Sequence, residues 1–191
     1  MQDRRSQRDP SKYLSRPAGQ AYRRTGSPLA SAQFAWREIR NLNLTEVPEG
    51  FPDDLAICGI VALWRGKARD GRLPARADFT PAELFPWIGC VSLVDVTHAP
   101  RRFRWRLVGS MIAEKMGRDA TGNWFDDLYE GELLKGYLDC YSKATDRRAP
   151  VYHRGDLEFV GKDFIHFNSV HLPLAEDDAP VNMLLLCLQF D

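Results

Sequence analysis

The clearest pattern in the chain is a strict alternation. In RRFRWRLV, residues 101–108, Phe103, Trp105 and Leu107 fall on one side and Arg102, Arg104 and Arg106 on the other. A period of two belongs to a strand with one apolar and one wet, basic face. The run CVSLVDV before it is rich in β-branched residues, and THAP between them supplies a Pro-containing turn, so the two predict an antiparallel hairpin. The C-terminal third repeats the strand signal. VYHRGDLEFV and FIHFNSVHLPL flank Gly161-Lys162-Asp163, and NMLLLCLQF follows the acidic loop AEDDAP.

Helical spacing appears elsewhere. LAICGIVALWRGKAR carries a broad apolar stripe of Leu55, Cys58, Val61, Ala62 and Trp64. Asp53 and Asp54 are placed to cap it, and Gly71 and Pro74 break the chain after it. A short helix is expected from Thr80, with Pro81 at its first position and Glu83 in its first turn. SMIAEKMG opens after Gly109 and closes on a glycine suited to a C-cap. Gly131 to Arg147 reads as an amphipathic helix with Leu134, Leu138 and Tyr141 on one stripe, and Pro150 bars its continuation. The order is helix, two strands, several short helices, three strands. Segregated strands and helices of this kind predict an α+β fold on an antiparallel sheet.

Composition narrows the class. The chain has 191 residues, 44% hydrophobic, with zero formal net charge, so no global field draws it to nucleic acid or an acidic membrane. Charge is uneven: residues 1 to about 50 open with Arg4, Arg5, Arg8, Lys12, Arg16, Arg23 and Arg24, a basic extension expected to be mostly disordered. No apolar run reaches membrane-spanning length, and the basic start has no apolar core behind it. The four cysteines are far apart and sit among apolar neighbours, the pattern of reduced, buried thiols. A cytoplasmic protein is the expectation. GxSxG, P-loop, dinucleotide and HExxH motifs are absent, which argues against an enzyme.

The stretches GRLPARADFTPAELFPWIGCVSLVDV and RRFRWRLVGSMIAEKMGRDATGNWFDDL, in that order, resemble the stand-alone PAS family of alphaproteobacteria. HLPLAEDDAPVNMLLL is similar to that family's closing hairpin, with Asp178-Ala179 in place of the usual Asp-Gly. The resemblance covers roughly Leu55 to Asp191. It implies a PAS-like fold over 53–191: a five-stranded antiparallel sheet with helices over one face, preceded by the amphipathic helix. It also implies a non-catalytic regulatory protein that senses a small ligand in the cleft between sheet and helices, contacts a protein partner, or does both in signal transduction. A homodimer or a regulatory partner is expected, meeting the outer sheet face and the preceding helix through Trp64, Arg102, Arg104 and Arg106. The alternative is a constitutive adaptor whose cleft is filled by side chains; a weaker one is a haem protein or small thiol enzyme.

For the cleft the expected lining is Trp124, Phe125, Tyr137, Tyr141 and Phe167, joined by Ser169, His171 and His153. Aromatic residues of this kind also build cores. With the hairpin centred on Lys162, His153 stands opposite His171, Leu157 opposite Phe167, Gly155 opposite Ser169, and Glu158 opposite His166 on the outer face. Two imidazoles at one end of the cleft could meet a metal, an anion or a proton, or serve only as polar groups at its mouth. No metal site and no cofactor is predicted. The long helix offers a haem no histidine, only Tyr137, Cys140 and Tyr141, and Phe125 stands where flavin photosensors of the family carry their reactive cysteine. Cys140 on the helix stripe reads as packing rather than as a nucleophile. The arginine stripe suits an acidic partner better than nucleic acid, for which no recognition helix or stacking motif is present.

Overall fold

The computed structural model describes residues 55–69, 71–176 and 179–191. The basic extension, the capping residues Asp53 and Asp54, and Asp178 of the closing loop lie outside them.

Helix α1 spans Leu55–Lys67 and ends with Arg65 and Lys67 in its last turn, where a cation favours the helix dipole. Helix α2, Pro81–Leu84, has the expected start. The Thr80 hydroxyl accepts from the Glu83 amide while the Glu83 carboxylate accepts from the Thr80 amide, a complete capping box. Strands β1 (Val91–His98) and β2 (Arg101–Leu107) form the predicted hairpin, pairing Val96 with Phe103 and Val94 with Trp105. Then come α3 (Ser110–Met116), closed by Gly117 in the left-handed region, α4 (Phe125–Leu128) and the long α5 (Gly131–Arg147). Strands β3 (Val151–Leu157), β4 (Lys162–Leu174) and β5 (Met183–Phe190) complete a five-stranded antiparallel sheet of order β2-β1-β5-β4-β3.

Strands β1, β4 and β5 send alternate residues to two separate cores. On the outer face Val91 and Leu93 of β1, Val170, Leu172 and Leu174 of β4, and Leu185 and Cys187 of β5 pack against Ile57, Ile60 and Trp64 of α1. On the inner face Val94, Phe103, Trp105, Leu184 and Leu186 meet Ile112, Phe125 and Tyr141 from the helical layer. The helices α3 to α5 therefore cover one face, and α1 lies across the centre of the other. Trp64, expected on a contact surface, is buried instead, with its indole Nε1 donating to the Pro173 carbonyl at 2.9 Å. An amphipathic helix beside an apolar sheet face gains more by burying its stripe there than by leaving it in water.

The β3–β4 register also differs from the expectation. His153 pairs with Ser169, Gly155 with Phe167, Asp156 with His166 and Val151 with His171. A one-turn 3-10 helix at Glu158–Val160, closed by Gly161 at φ 71°, and a register shift at Asp156/Leu157 take up chain that a symmetric hairpin would have paired. Glu158 therefore does not face His166. Because the shift is by two residues, His153 and His171 keep the same face.

Gly109, at the end of β2, admits no side chain. A Cβ there would lie 2.5 Å from the Gly89 carbonyl oxygen and 2.6 Å from that of Val91, both backbone atoms that cannot swing away. Gly109→Ala is expected to destabilise the fold by about 1–3 kcal/mol, as overpacking against a fixed neighbour does. Urea unfolding measures it, and an unchanged midpoint would show that the two segments separate freely.

Candidate functional site

Between the sheet and α5 lies a cavity of about 670 Å³. The face of α5 that borders it carries Leu133, Gly136, Tyr137, Cys140 and Tyr141, residues one and two turns apart on one side of the helix. The opposite wall comes from the inner faces of β3, β4 and β5, with His153, Phe167, Ser169, His171, Leu186 and Phe190. Trp105, Ile112 and Met116 contribute from β2 and α3. Six of the eight residues expected in the cleft are thus brought together: Tyr137, Tyr141, Phe167, Ser169, His171 and His153.

The other two lie elsewhere. Residues 122–124 run along the edge of β2, where the Gly122 amide donates to the Trp105 carbonyl and Arg104 bridges to Trp124. In an extended segment neighbours point to opposite sides. Trp124 therefore faces outward, with the Arg102 guanidinium 4.2 Å from its ring centroid, and Phe125 turns inward. Phe125 is fully buried and is not among the residues lining this cavity. It stacks on Trp105 at 4.6 Å and braces Tyr137 and Tyr141 edge-on at 5.3 and 5.2 Å.

A directed chain of hydrogen bonds crosses the cavity wall. The Ser169 hydroxyl donates to the His153 carbonyl at 3.2 Å, so its oxygen is free to accept from His171 Nε2, also at 3.2 Å. That makes His171 the Nε2–H tautomer and leaves its Nδ1 to accept from the Cys140 thiol, with Sγ 3.3 Å away. Every polar atom of the imidazole is thereby engaged. Burial opposes both charged forms: it pulls His171 down to about 3 and pushes the Cys140 thiol up to about 11. His153 adds to the first effect, and Lys143 works against the second. The pair is neutral, a thiol bonded to an imidazole rather than a thiolate–imidazolium couple. Burial and the neighbouring phenols also raise Tyr137 and Tyr141 above the usual tyrosine range.

His153 stands at the mouth, 6.3 Å between ring centroids from His171, and is lowered by partial burial and by Lys143. No group of three or more His, Cys, Asp or Glu side chains among the described residues is placed to hold a metal ion. Sequence reasoning missed Cys140 as the partner of His171 and the contribution of Trp105. The first required knowing which helix turn crosses β4. Trp105 is buried on the cavity wall, and its Nε1 has no hydrogen-bond partner among the described residues.

The outer faces of β1 and β2 border another recess, of about 780 Å³. Its arginines are largely paired. Arg104 and Arg106 share Asp95, at 2.7 and 2.8 Å, and Arg102 grips both oxygens of Asp126 at 2.9 and 3.0 Å. The stripe is therefore less positive than its sequence suggests, with two arginines on one aspartate at its centre.

His171 makes stability depend on pH with a definite sign. Its folded-state value near 3 lies below the 6.5 of a free imidazole, so below 6.5 the unfolded chain takes up a proton that the folded chain refuses. The contribution is complete above pH 6.5 and is lost as pH falls toward 3. Between pH 7 and pH 5 it amounts to about 2 kcal/mol. His171→Gln, neutral at every pH, is expected to lose that much less stability over the same interval in urea unfolding. Equal losses in both proteins would mean that His171 is not held neutral by burial.

The chain was compared with known proteins. The sequence model of the PAS domain family matches residues 55–189, well over half of the chain. No curated protein matches. Among solved structures, a domain of an HTR-like protein from Haloarcula marismortui ATCC 43049 is similar at 13% identity and a TM-score of 0.38, over 52% of this chain and 96% of that one. PAS domains are typically non-catalytic sensory modules and often mediate protein contacts, and no helix among the described residues is long and apolar enough to cross a membrane. With its five-stranded antiparallel sheet and the match over 55–189, this chain belongs to the PAS domain family, and a signalling, regulatory role in general comes with that membership.

Proposed function

We propose that the protein is a non-catalytic regulatory sensor that binds a small molecule in the cavity between α5 and the sheet. The observation that carries this reading is the cavity itself. Its volume of about 670 Å³ lies within the range of small-molecule sites, and its walls are mainly aromatic and aliphatic with a few converging polar groups. A constitutive adaptor with a filled cleft would have no such space. The protonated state of Cys140 supports binding over thiol catalysis, because a nucleophilic cysteine needs its thiolate.

The signal has a short physical route out. Ser169 and His171 touch the cavity, while Val170 and Leu172, interleaved with them on β4, pack on α1. A ligand that shifts this strand shifts the seat of α1. A register shift opposite Leu93/Val94 pairs the exposed Leu107 with Leu93 and brings it to the same outer face, where with Arg104 and Arg106 it offers a contact surface for an acidic partner or for a second copy of the chain.

Gly136 provides a clean test. It faces the cavity from α5, and a Cβ there would meet nothing within 4 Å. Gly136→Leu should fill part of the space while gaining about 0.8 kcal/mol of helix propensity. Native mass spectrometry of the purified wild type is expected to show a small molecule released on denaturation, and the variant should lose it with its melting temperature unchanged or raised. If the variant retained the same molecule at the same occupancy, the cavity would not be the binding site.

A further inference from the structure

We propose that the cavity takes an apolar carboxylic acid in its ionised form, the body lying between α5 and the sheet and the carboxylate at the His153 end, between Lys143 and the His153 imidazole. This rests on the reading that the cavity is a ligand site, and it concerns the head group that site holds. The interior has no place for an ion. Ser169, His171 and Cys140 use their hydrogen bonds on one another and on the His153 carbonyl. Ile112, Leu186 and Phe190 surround them, so a charge placed there would lose its hydration without gaining a partner. Arg154 and Asp156 alternate with His153 and Gly155 on β3, so their side chains point to the other face, and Arg154 Nε donates to Asn168 Oδ1 at 3.0 Å.

Two groups at the His153 end are unused. The His153 imidazole makes no hydrogen bond among the described residues. Its Nε2 lies 3.2 Å from where a Cβ on Gly155 would stand, beside the Phe167 ring, and Gly155 and Phe167 both line the cavity. Partial burial, with Lys143 nearby, disfavours the imidazolium, so the ring is neutral and has one N–H to donate. Lys143 follows Cys140 by one turn on the same side of α5 and forms no ion pair among the described residues. After burial, it is the charge that acts on both Cys140 and His153, so its ammonium is within electrostatic reach of the cavity end where they stand. An anion there is the partner that both groups lack. The rim carboxylates stand at the other end. Glu132 is three turns from Lys143 along α5, about 16 Å and twice the screening length at physiological salt, and it sits 3.6 Å from Lys135. Glu158 lies beyond the far end of β3. A separate feature agrees in sign. The Nε1 of buried Trp105, on the cavity wall and without a partner among the described residues, is a donor that calls for an acceptor.

Three probes with one body and different head groups test the assignment: 3-phenylpropanoate, 3-phenylpropan-1-ol and 3-phenylpropylamine. Isothermal titration should rank acid over alcohol over amine, with the advantage of the acid shrinking at high salt. Lys143→Gln should melt like wild type, bind the acid about fivefold more weakly and bind the alcohol unchanged. His153→Phe, which keeps a ring without its N–H, should weaken the acid by a similar factor. Lys135→Gln removes the same charge at the other end and should leave acid binding unchanged. Alcohol or amine binding as tight as the acid, or losses in Lys143→Gln and His153→Phe no larger than in Lys135→Gln, would overturn the proposal. If such binding were still abolished by Gly136→Leu, the cavity would stand as a ligand site without this head-group preference. A molecule released from the wild type that carries no acidic group would have the same meaning. Failure of all three probes, with no released molecule, would remove both.

Discussion

The structure depends on strand β4 being buried on both sides. Val170, Leu172 and Leu174 point to α1, while Phe167, Ser169 and His171 point to the helical layer, and His171 and Leu172 are both almost wholly excluded from water. A strand so placed cannot slide by one residue, because the slip would put an imidazole and a serine into the outer apolar core and leucines into the polar wall of the cavity. Register, helix seating and cavity chemistry are thus set by a single alternation. The same strand lies between the cavity and α1 at that point, and it is the route to the far face in the proposed sensor.

The polar groups of the cavity are arranged to avoid charge. A buried imidazole must either pair with an anion or stay neutral, and here the geometry enforces neutrality. Cys140 donates to Nδ1, Nε2–H donates to Ser169, and Ser169 donates to a main-chain carbonyl that cannot take the proton onward. The chain of hydrogen bonds therefore holds orientation and tautomer rather than moving protons. Formal charges are kept to the rim and to the outer face. There Asp95 sits between Arg104 and Arg106, and Asp126 holds Arg102 above Trp124. Aromatic rings fill the region between: Phe125 stacks on Trp105 and packs edge-on against the two tyrosines that border the cavity.

Local patterning made the elements legible. The alternation of Arg102 to Arg106, the capping box of Thr80 and Glu83, and the helix Gly131–Arg147 all depend on residues close in sequence and appear where their spacing placed them. Leu107, expected beside Phe103 and Trp105, is instead turned to the outer face by a register shift opposite Leu93/Val94. The order of these elements, with the motifs around Asp95, Gly109 and Gly122, was enough to indicate the family. The cleft was partly legible too, since β-strand parity put Phe167, Ser169 and His171 on one face, and helix periodicity put Tyr137 and Tyr141 on another.

What failed were inferences that needed a third dimension. Trp64 was read as a contact residue because a stripe shows that a helix buries one side, not what it is buried against; the sheet's outer face took it. Trp124 and Phe125 were both expected in the cleft, yet the extended segment beside β2 turns Trp124 outward and Phe125 into the inner core. The β3–β4 pairing moved by two residues because turn geometry at Glu158 to Gly161 is a three-dimensional choice among loops of equal length. The sequence by itself determined which residues share a face, since side-chain period follows from the backbone of each element. Only the tertiary structure decided which faces meet, and so which groups touch: Cys140 reaches His171, Asp95 serves two arginines, and Phe125 stacks on Trp105. Those contacts join residues that are distant in the chain, and their positions depend on the packing of whole elements rather than on any local preference.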